Sequence, residues 1–221
     1  MENKLKDLLR LYLVMGSTNC RENDPLTVLD AALKGGVSLF QYREKGNGSK
    51  SGQEKIMLGQ ALMNRCRSYG VPFVVNDDVE LALNLGADGL HIGQEDGSIT
   101  KTREKFAGKL LGVSVHNVQE AEEAVKCGAD YLGVGPMYFT STKTDLHEVK
   151  GPDVIKEIRA AGITLPIVGI GGIDKERAAC VVEAGADGVA VISAISQDPY
   201  PTDAARELLY AVEKVLHVAK K

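Results

Sequence analysis

"VKCGADYLGVGP", residues 125–136, is one of three near copies of a single phrase; the others are "LNLGADGLHIGQ" (83–94) and "VEAGADGVAVIS" (182–193). "LKGGVSLFQYRE" (33–44) is a fourth, looser version. Each copy begins at the end of an amphipathic helical pattern and meets a glycine suited to a left-handed cap, at Gly36, Gly86, Gly128 or Gly185. Each then enters a short apolar strand. Between the copies lie "LYLVM" (11–15), "PFVV" (72–75), "LLGVS" (110–114) and "PIVGI" (166–170), making eight expected strands. Helical patterns separate them near 25–35, 50–69, 78–85, 98–107, 117–127, 152–161 and 174–184, and a last helix is expected over 202–218. Several strands are nearly continuous apolar runs, as expected where both faces of a sheet are covered. Strand–helix alternation implies right-handed parallel crossovers. Eight units predict an α/β fold of the closed (β/α)8 TIM-barrel type. An open doubly wound sheet, the alternative, would use fewer strands and favour a glycine-rich turn after the first, where the sequence has only "MGSTN". No linker or composition break interrupts the chain, so residues 1–221 read as one TIM-barrel domain.

Composition narrows the function. Hydrophobic residues make up 44% and charged residues 25% of the 221, the balance of a soluble globular chain. A net charge of -4 gives no electrostatic footprint for nucleic acid or an anionic membrane, so any basic cluster is local and its target small. No run approaches the roughly 18 apolar residues of a membrane span. The opening "MENKLKDLLRLYLVMG" is broken by Lys6, Asp7 and Arg10 and does not read as a signal peptide. Cys20, Cys66, Cys127 and Cys180 are scattered without a C-x-x-C pair; the last three fall in helix-like stretches and are expected to pack as small apolar groups. A cytoplasmic location follows as the expectation.

In a barrel the active site is built from the loops that follow the C-terminal ends of the strands. "SLFQYREKGNG" (38–48) ends the second strand, and pleating puts Gln41, Arg43 and Lys45 on one side of it. Strand 3 ends in Asn76, Asp77 and Asp78, strand 4 leads through His91 to Gln94, Glu95 and Asp96, and strand 5 gives Ser114 and His116. Strand 6 opens the long loop "GPMYFTSTKTDLHEVKG", which carries Lys143. Gly171 and Gly172 precede a helix opening at Asp174, where exposed amides favour an anion, and Ile192 and Ser193 add amides from the neighbouring strand. Many barrels hold a phosphate there. Asp77 and Asp96 are hard oxygen ligands of the kind that hold Mg²⁺ together with substrate phosphates. Arg43, Lys45 and Lys143 supply cations for the remaining phosphate charge. His91 lies in an apolar strand without an H-E-x-x-H or Cys/His cluster, which argues against a zinc site. One phosphate site plus one Mg²⁺-diphosphate site points to joining two phosphorylated molecules with loss of pyrophosphate. No Ser–His–Asp or Cys–His grouping is visible.

"QYREK", "VNDD", "HIGQED", "LGVSVH", "GP…TSTK", "GIGGI" and "VISAI" follow the order and spacing of the thiamine-phosphate synthase (thiamine-phosphate pyrophosphorylase) family, and the chain resembles that family from about Tyr12 to Ser196. The resemblance implies a transferase of thiamine biosynthesis that joins 4-amino-2-methyl-5-hydroxymethylpyrimidine diphosphate to 4-methyl-5-(2-phosphoethyl)thiazole, releasing pyrophosphate. It assigns Gln41, Tyr42, Arg43, Glu44, Lys45, Asn76, Ser114 and Lys143 to the pyrimidine diphosphate, with Arg43, Lys143 and Ser114 closest to the chemistry. It assigns Asp77 and Asp96 to Mg²⁺, and Thr140, Ser141, Thr142, Gly172, Ile192 and Ser193 to the thiazole phosphate. Phe139 departs from the family's P-T-x-T-K pattern; a loop without that proline is less rigid, which bears on closure more than on chemistry. Two other readings stand beside this one. A related thiazole tautomerase shares the "GADG" strands but needs no diphosphate–Mg²⁺ site, and a non-catalytic phosphate-binding barrel would use the glycines but not the acid-and-base constellation. The expected partners are small-molecule substrates, with no nucleic acid and no membrane. Self-association into a homo-oligomer, thiazole tautomer preference, the rate-limiting step and regulation leave no mark in the sequence.

Overall fold

The computed structural model describes residues 2–140 and 149–218. Eight parallel strands close in sequence order into a barrel: β1 (Leu11–Met15), β2 (Leu39–Tyr42), β3 (Phe73–Asn76), β4 (Gly89–Ile92), β5 (Leu110–Val115), β6 (Tyr131–Val134), β7 (Ile167–Ile170) and β8 (Gly188–Val191), with β8 pairing back onto β1. The helices are α1 (Glu2–Leu8), α2 (Pro25–Lys34), α3 (Gly52–Ser68), α4 (Val79–Leu85), α5 (Ile99–Lys105), α6 (Val118–Lys126), α7 (Asp153–Ala160), α8 (Lys175–Glu183), α9 (Ser193–Ser196) and α10 (Pro201–Val218). This is the (β/α)8 barrel expected from the repeat. Two helices were not anticipated. α1 sits below the barrel, with its Leu5 and the following Leu9 packed at the interior cluster, and α9 is a single turn after β8.

Strand pleating sorts the core into two clusters. Leu11, Leu13 and Met15 of β1 face the helical shell, whereas Tyr12 and Val14 face the barrel interior with Leu39, Val74, Tyr131, Val168 and Ala190. The same alternation turns Gln41, Asn76, His91 and Ser114 inward and their neighbours outward. Of the cysteines, Cys20 and Cys66 are buried, Cys127 is half-buried beyond the end of α6, and Cys180 is exposed on the outer side of α8. The apolar packing expected of Cys127 and Cys180 is therefore not found, because both lie on the solvent side of their turns.

The repeated phrase has one job in all four places. Gly36, Gly86, Gly128 and Gly185 adopt left-handed φ of 102°, 65°, 85° and 111°. The next residue's N–H reaches back five residues to a helix carbonyl: Val37 to Ala32 at 3.3 Å, Ala87 to Ala82 at 2.9 Å, Ala129 to Ala124 at 3.0 Å and Ala186 to Val181 at 3.4 Å. That is the six-to-one bond of a Schellman ending. The residue after it clamps the preceding strand from two sides. Asp130 N–H donates to the Leu111 carbonyl at 2.8 Å while its carboxylate accepts from Leu111 N–H at 2.8 Å. Asp88 does the same with Phe73, Asp187 with Ile167 and Ser38 with Leu11. Each even strand is thus fastened at its start to the odd strand before it.

Candidate active site

Two neighbouring cavities open where the strands end. The larger, about 650 Å³, is lined by Arg43, Lys45, Asn76, Asp77, His91, Asp96, Ser114 and His116, among others. The smaller, about 580 Å³, is lined by Gly172, Asp174, Arg177, Ile192, Ser193 and Arg21, among others. Phe139, Thr140, Ile170 and Gly171 belong to both and form the wall between them. The residues expected from the sequence at the two anion sites line these two cavities, Arg43, Lys45, Asn76, Asp77, Asp96 and Ser114 the larger and Gly172, Ile192 and Ser193 the smaller.

In the larger cavity the carboxylates sit against each other. Asp77 has a left-handed φ of 58°, a strained backbone for a residue with a side chain. It pairs with Lys45 and accepts from Asn76 Nδ2 at 2.7 Å. Asp96 Oδ2 accepts from the Gly93 amide at 2.7 Å, which holds the loop after β4 in a turn. Burial and the adjoining Asp96 carboxyl push the Asp77 carboxyl above its ordinary range, against the pull of Lys45. Two carboxyls sharing a site titrate as a pair, and here the cost of charging both raises Asp77 while Asp96 is lowered. A divalent cation between them would relieve that repulsion. Among the described residues no group of three or more His, Cys, Asp or Glu could hold a metal. Two carboxylates with substrate phosphates completing the shell is, however, the usual way Mg²⁺ is held, so the donor set fits that ion.

Arg43 is half-buried at the cavity wall and has no ion-pair partner among the described residues. Tyr42 and Glu44, its neighbours on the same stretch, are not brought to the cavity. Pleating turns Tyr42 outward, where its hydroxyl donates to the Lys55 carbonyl at 3.0 Å. Glu44 is buried and accepts from the amides of Ser17 and Lys50, each at 2.8 Å, tying together the loops after β1 and β2. Gln41 points into the barrel beneath the mouth and donates to Tyr12 Oη at 2.7 Å. Ser141, Thr142 and Lys143 lie outside the described residues.

In the smaller cavity Asp174 caps α8, accepting from the Arg177 amide at 3.0 Å, so this helix spends one amide on its own side chain. Gly172 lies ahead of α8, and the first amides of α9 precede any intrahelical acceptor, which leaves backbone N–H groups for an anion. Gly172 has a second reason to be glycine. A Cβ there would lie 2.6 Å from the Phe139 carbonyl oxygen and 2.9 Å from Tyr138 Cβ. Bulk at Gly172 therefore displaces the start of the β6 loop, which walls both cavities, and would not affect the phosphate side alone.

Sequence reasoning missed two cations here. Arg177 donates to the Gly172 carbonyl at 2.8 Å and its guanidinium carbon lies 4.7 Å from the Tyr138 ring centroid. Arg21, with a left-handed φ of 52°, comes from the loop after β1. That loop follows a strand end like the others and was legible by the same rule.

The family described as thiamine monophosphate synthase matches residues 11–195. The thiamine-phosphate synthase of Geobacillus kaustophilus (strain HTA426) is 56% identical over 209 residues, covering 95% of this chain and 94% of the relative. That of Bacillus cereus (strain ATCC 10987 / NRS 248) is 53% identical over 211 residues, covering 96% and 94%. Among solved structures, the thiamine phosphate pyrophosphorylase from Pyrococcus furiosus superposes with a TM-score of 0.85 at 35% identity, covering 96% of this chain and 99% of that one. With a family match across most of its length and relatives above half identity, this chain belongs to the thiamine-phosphate synthase family of transferases.

Proposed function

We propose that this enzyme condenses hydroxymethylpyrimidine diphosphate with thiazole phosphate to give thiamine phosphate and pyrophosphate, in the cytoplasm and with Mg²⁺. The observation that carries the reading is the shared wall: a cavity of cations and paired carboxylates abuts a cavity of glycine and helix-start amides. The diphosphate goes to the first and the thiazole phosphate to the second, so the carbon that loses pyrophosphate and the nitrogen that attacks it meet near Thr140 and Gly171.

Asp77 and Asp96 would hold Mg²⁺, which when bound neutralises charge on the departing pyrophosphate. Arg43, lacking an ion-pair partner among the described residues, meets a diphosphate oxygen without first breaking a salt bridge. Lys45 must leave Asp77 or share it. Lys143, Ser141 and Thr142 follow Thr140 in the sequence, and the family resemblance assigns Lys143 to the diphosphate and Ser141 and Thr142 to the thiazole phosphate. Ser114 donates to the diphosphate from the floor. The thiazole phosphate, anchored by the amides of Gly172, Ile192 and Ser193, fixes its ring for attack. Departure of pyrophosphate then leaves a pyrimidine cation to be captured by the thiazole nitrogen, and no protein nucleophile is required.

Measuring pyrophosphate release with each substrate alone and with both tests the reading. Release that needs both substrates and Mg²⁺ is expected. Release without thiazole phosphate, or none with the full mixture, overturns it.

A further inference from the structure

Beneath the mouth a line of buried polar side chains crosses the barrel interior from β2 to β5. Gln41 Nε2 lies 2.7 Å from Tyr12 Oη, which lies 2.9 Å from Tyr131 Oη. Tyr131 Oη is 3.1 Å from His91 Nδ1, and His91 Nε2 is 2.9 Å from Ser114 Oγ. The relative exposure of Gln41, Tyr12, Tyr131 and His91 is 3%, 1%, 0% and 8%, and only at His91 and Ser114 does the line reach the larger cavity. The surrounding strands are shaped to it. A Cβ at Gly112 would fall 2.2 Å from Tyr131 Cζ and 2.4 Å from His91 Nδ1, and one at Gly133 would fall 2.9 Å from His91 Cε1. Both glycines leave the space in which the imidazole meets the phenol.

Counting protons gives the line a direction. Burial raises the pKa of both tyrosines, so each hydroxyl keeps its one proton. With the Gln41 amide donating to Tyr12, the Tyr12 proton goes to Tyr131 and the Tyr131 proton to His91 Nδ1. A neutral imidazole that accepts at Nδ1 carries its own proton on Nε2 and donates it to Ser114 Oγ. The Ser114 proton is left to point into the cavity. If the Gln41 amide were reversed, every bond would reverse with it, and a Ser114 lone pair would face the mouth. A buried network of this kind holds one arrangement because breaking any link leaves a polar group unpaired.

We propose that His91 is a positioning residue: the chain Gln41–Tyr12–Tyr131–His91 fixes its Nε2–H tautomer and thereby holds the Ser114 hydroxyl as a hydrogen-bond donor toward an anion in the larger cavity. The identity of that anion, a pyrimidine diphosphate, rests on the function proposed above; the direction of the chain does not.

Imidazole ¹⁵N spectra of the whole protein, labelled at its four histidines, test the direction without any substrate. His91 is expected as the Nε2-protonated tautomer, and Tyr131→Phe, which removes the donor to Nδ1, is expected to shift it toward a mixture. Protonation at Nδ1 in the unmodified protein, or an unchanged tautomer in Tyr131→Phe, overturns the proposal. Should Tyr131→Phe not fold, Tyr12→Phe breaks the same line one link earlier. Kinetics test the consequence. Tyr131→Phe should lower kcat/KM for the pyrimidine diphosphate by about tenfold, the scale of one buried hydrogen bond, while affinity for thiazole phosphate holds. In a Ser114→Ala background the same change should cost nothing further, because it acts through Ser114. Equal losses in both backgrounds would mean a general packing defect and would overturn the positioning role. If the tautomer responds as expected but no pyrimidine diphosphate binds, the ligand assignment fails and the proton chain stands.

Discussion

The two rims of this barrel treat charge in opposite ways. At the lower rim, where the strands begin, every repeated acid is consumed by the fold. Asp187 accepts from the Ile167 amide at 2.9 Å and from Arg159 Nη2 at 2.8 Å, and Arg159 spends its other donors on the carbonyls of Ile163, Leu165 and Gly185. Asp130 and Arg103 repeat the pattern one unit earlier, with Arg103 donating on to the Phe106 and Lys109 carbonyls. At the upper rim two carboxyls crowd each other, Asp77 sits in a strained backbone conformation, and Arg43 has no ion-pair partner among the described residues. One rim is complete without a ligand; the other, on the function proposed above, becomes so with one. Strain and unbalanced charge of this kind are tolerated where binding compensates them.

The sharpest break of that contrast is Asp96→Asn. At the upper rim it should cost turnover and not stability. Loss of one Mg²⁺ ligand is expected to lower pyrophosphate release by about a hundred- to a thousand-fold at limiting Mg²⁺, the equivalent of several kcal/mol of charge stabilisation. The melting temperature should hold or rise, because Asp77 loses a like-charged neighbour. Titrating Mg²⁺ against pyrophosphate release and melting the same sample decides it. Full activity of Asp96→Asn in chelator would remove the metal from this site.

Asp187→Ala should do the reverse. It strands the Ile167 amide and the Arg159 guanidinium at a largely buried site, which costs about 2–4 kcal/mol. In a chain of this size that is a fall of roughly 5–15 °C in melting temperature. Turnover of the folded fraction should match the unmodified enzyme. A variant that melts normally but loses activity would show that the lower rim feeds the site, contrary to the division drawn here.

Ser38→Ala refines the same point. Ser38 stands where the other copies have aspartate, accepts from the Leu11 amide at 3.0 Å, and has the backbone carbonyls of Leu8 and Leu11 at 3.0 and 3.1 Å as acceptors for its one hydroxyl proton. The clamp is therefore made without a charge, and its loss should cost only about 1 kcal/mol, read in a denaturant titration. A loss as large as that of Asp187→Ala would mean the strand clamp, not the guanidinium, carries the lower rim.

The lower rim was legible from sequence because its parts are local and repeated. A helix end, a left-handed glycine and a strand start follow one another four times over, although the clamp made by Ser38, Asp88, Asp130 and Asp187 shows only in the structure. The mouth was legible only in part. The rule of strand ends pointed to Arg43, Lys45, Asp77, Asp96 and Ser114, which line the larger cavity; the family resemblance added Tyr42 and Glu44, which pleating and loop-tying take elsewhere. The Tyr12–Tyr131–His91 line could not be read at all. Its members stand on β1, β6 and β4, and only closure of the barrel brings them within hydrogen-bond distance. α1 escaped notice because its charged residues interrupt the apolar spacing that would have marked it.

A charge cluster belonging to neither rim supplies the control, and the smallest expected effect. Asp30 on α2 accepts from Tyr69 Oη at 3.0 Å and pairs with Lys34 at 2.7 Å and with Arg65 of α3. Its hydrogen bonds from Lys34 and Arg65 hold the carboxyl at about 2, below its ordinary 3.8. A carboxyl with a depressed folded-state pKa stabilises the fold above its unfolded value and loses that contribution as pH falls through the folded one. The difference in stability between the unmodified protein and Asp30→Asn should therefore be constant from neutral pH down to about 4, shrink between about 4 and 2, and vanish below. Because Lys34 and Arg65 are 59% and 42% exposed, water and salt screen the pair. The plateau should stay under about 1 kcal/mol and fall further in high salt. Chemical denaturation at stepped pH measures it. A plateau as large as that of Asp187→Ala would mean that exposure does not separate the shell from the lower rim, and that the contrast between buried and solvated acids has been drawn in the wrong place.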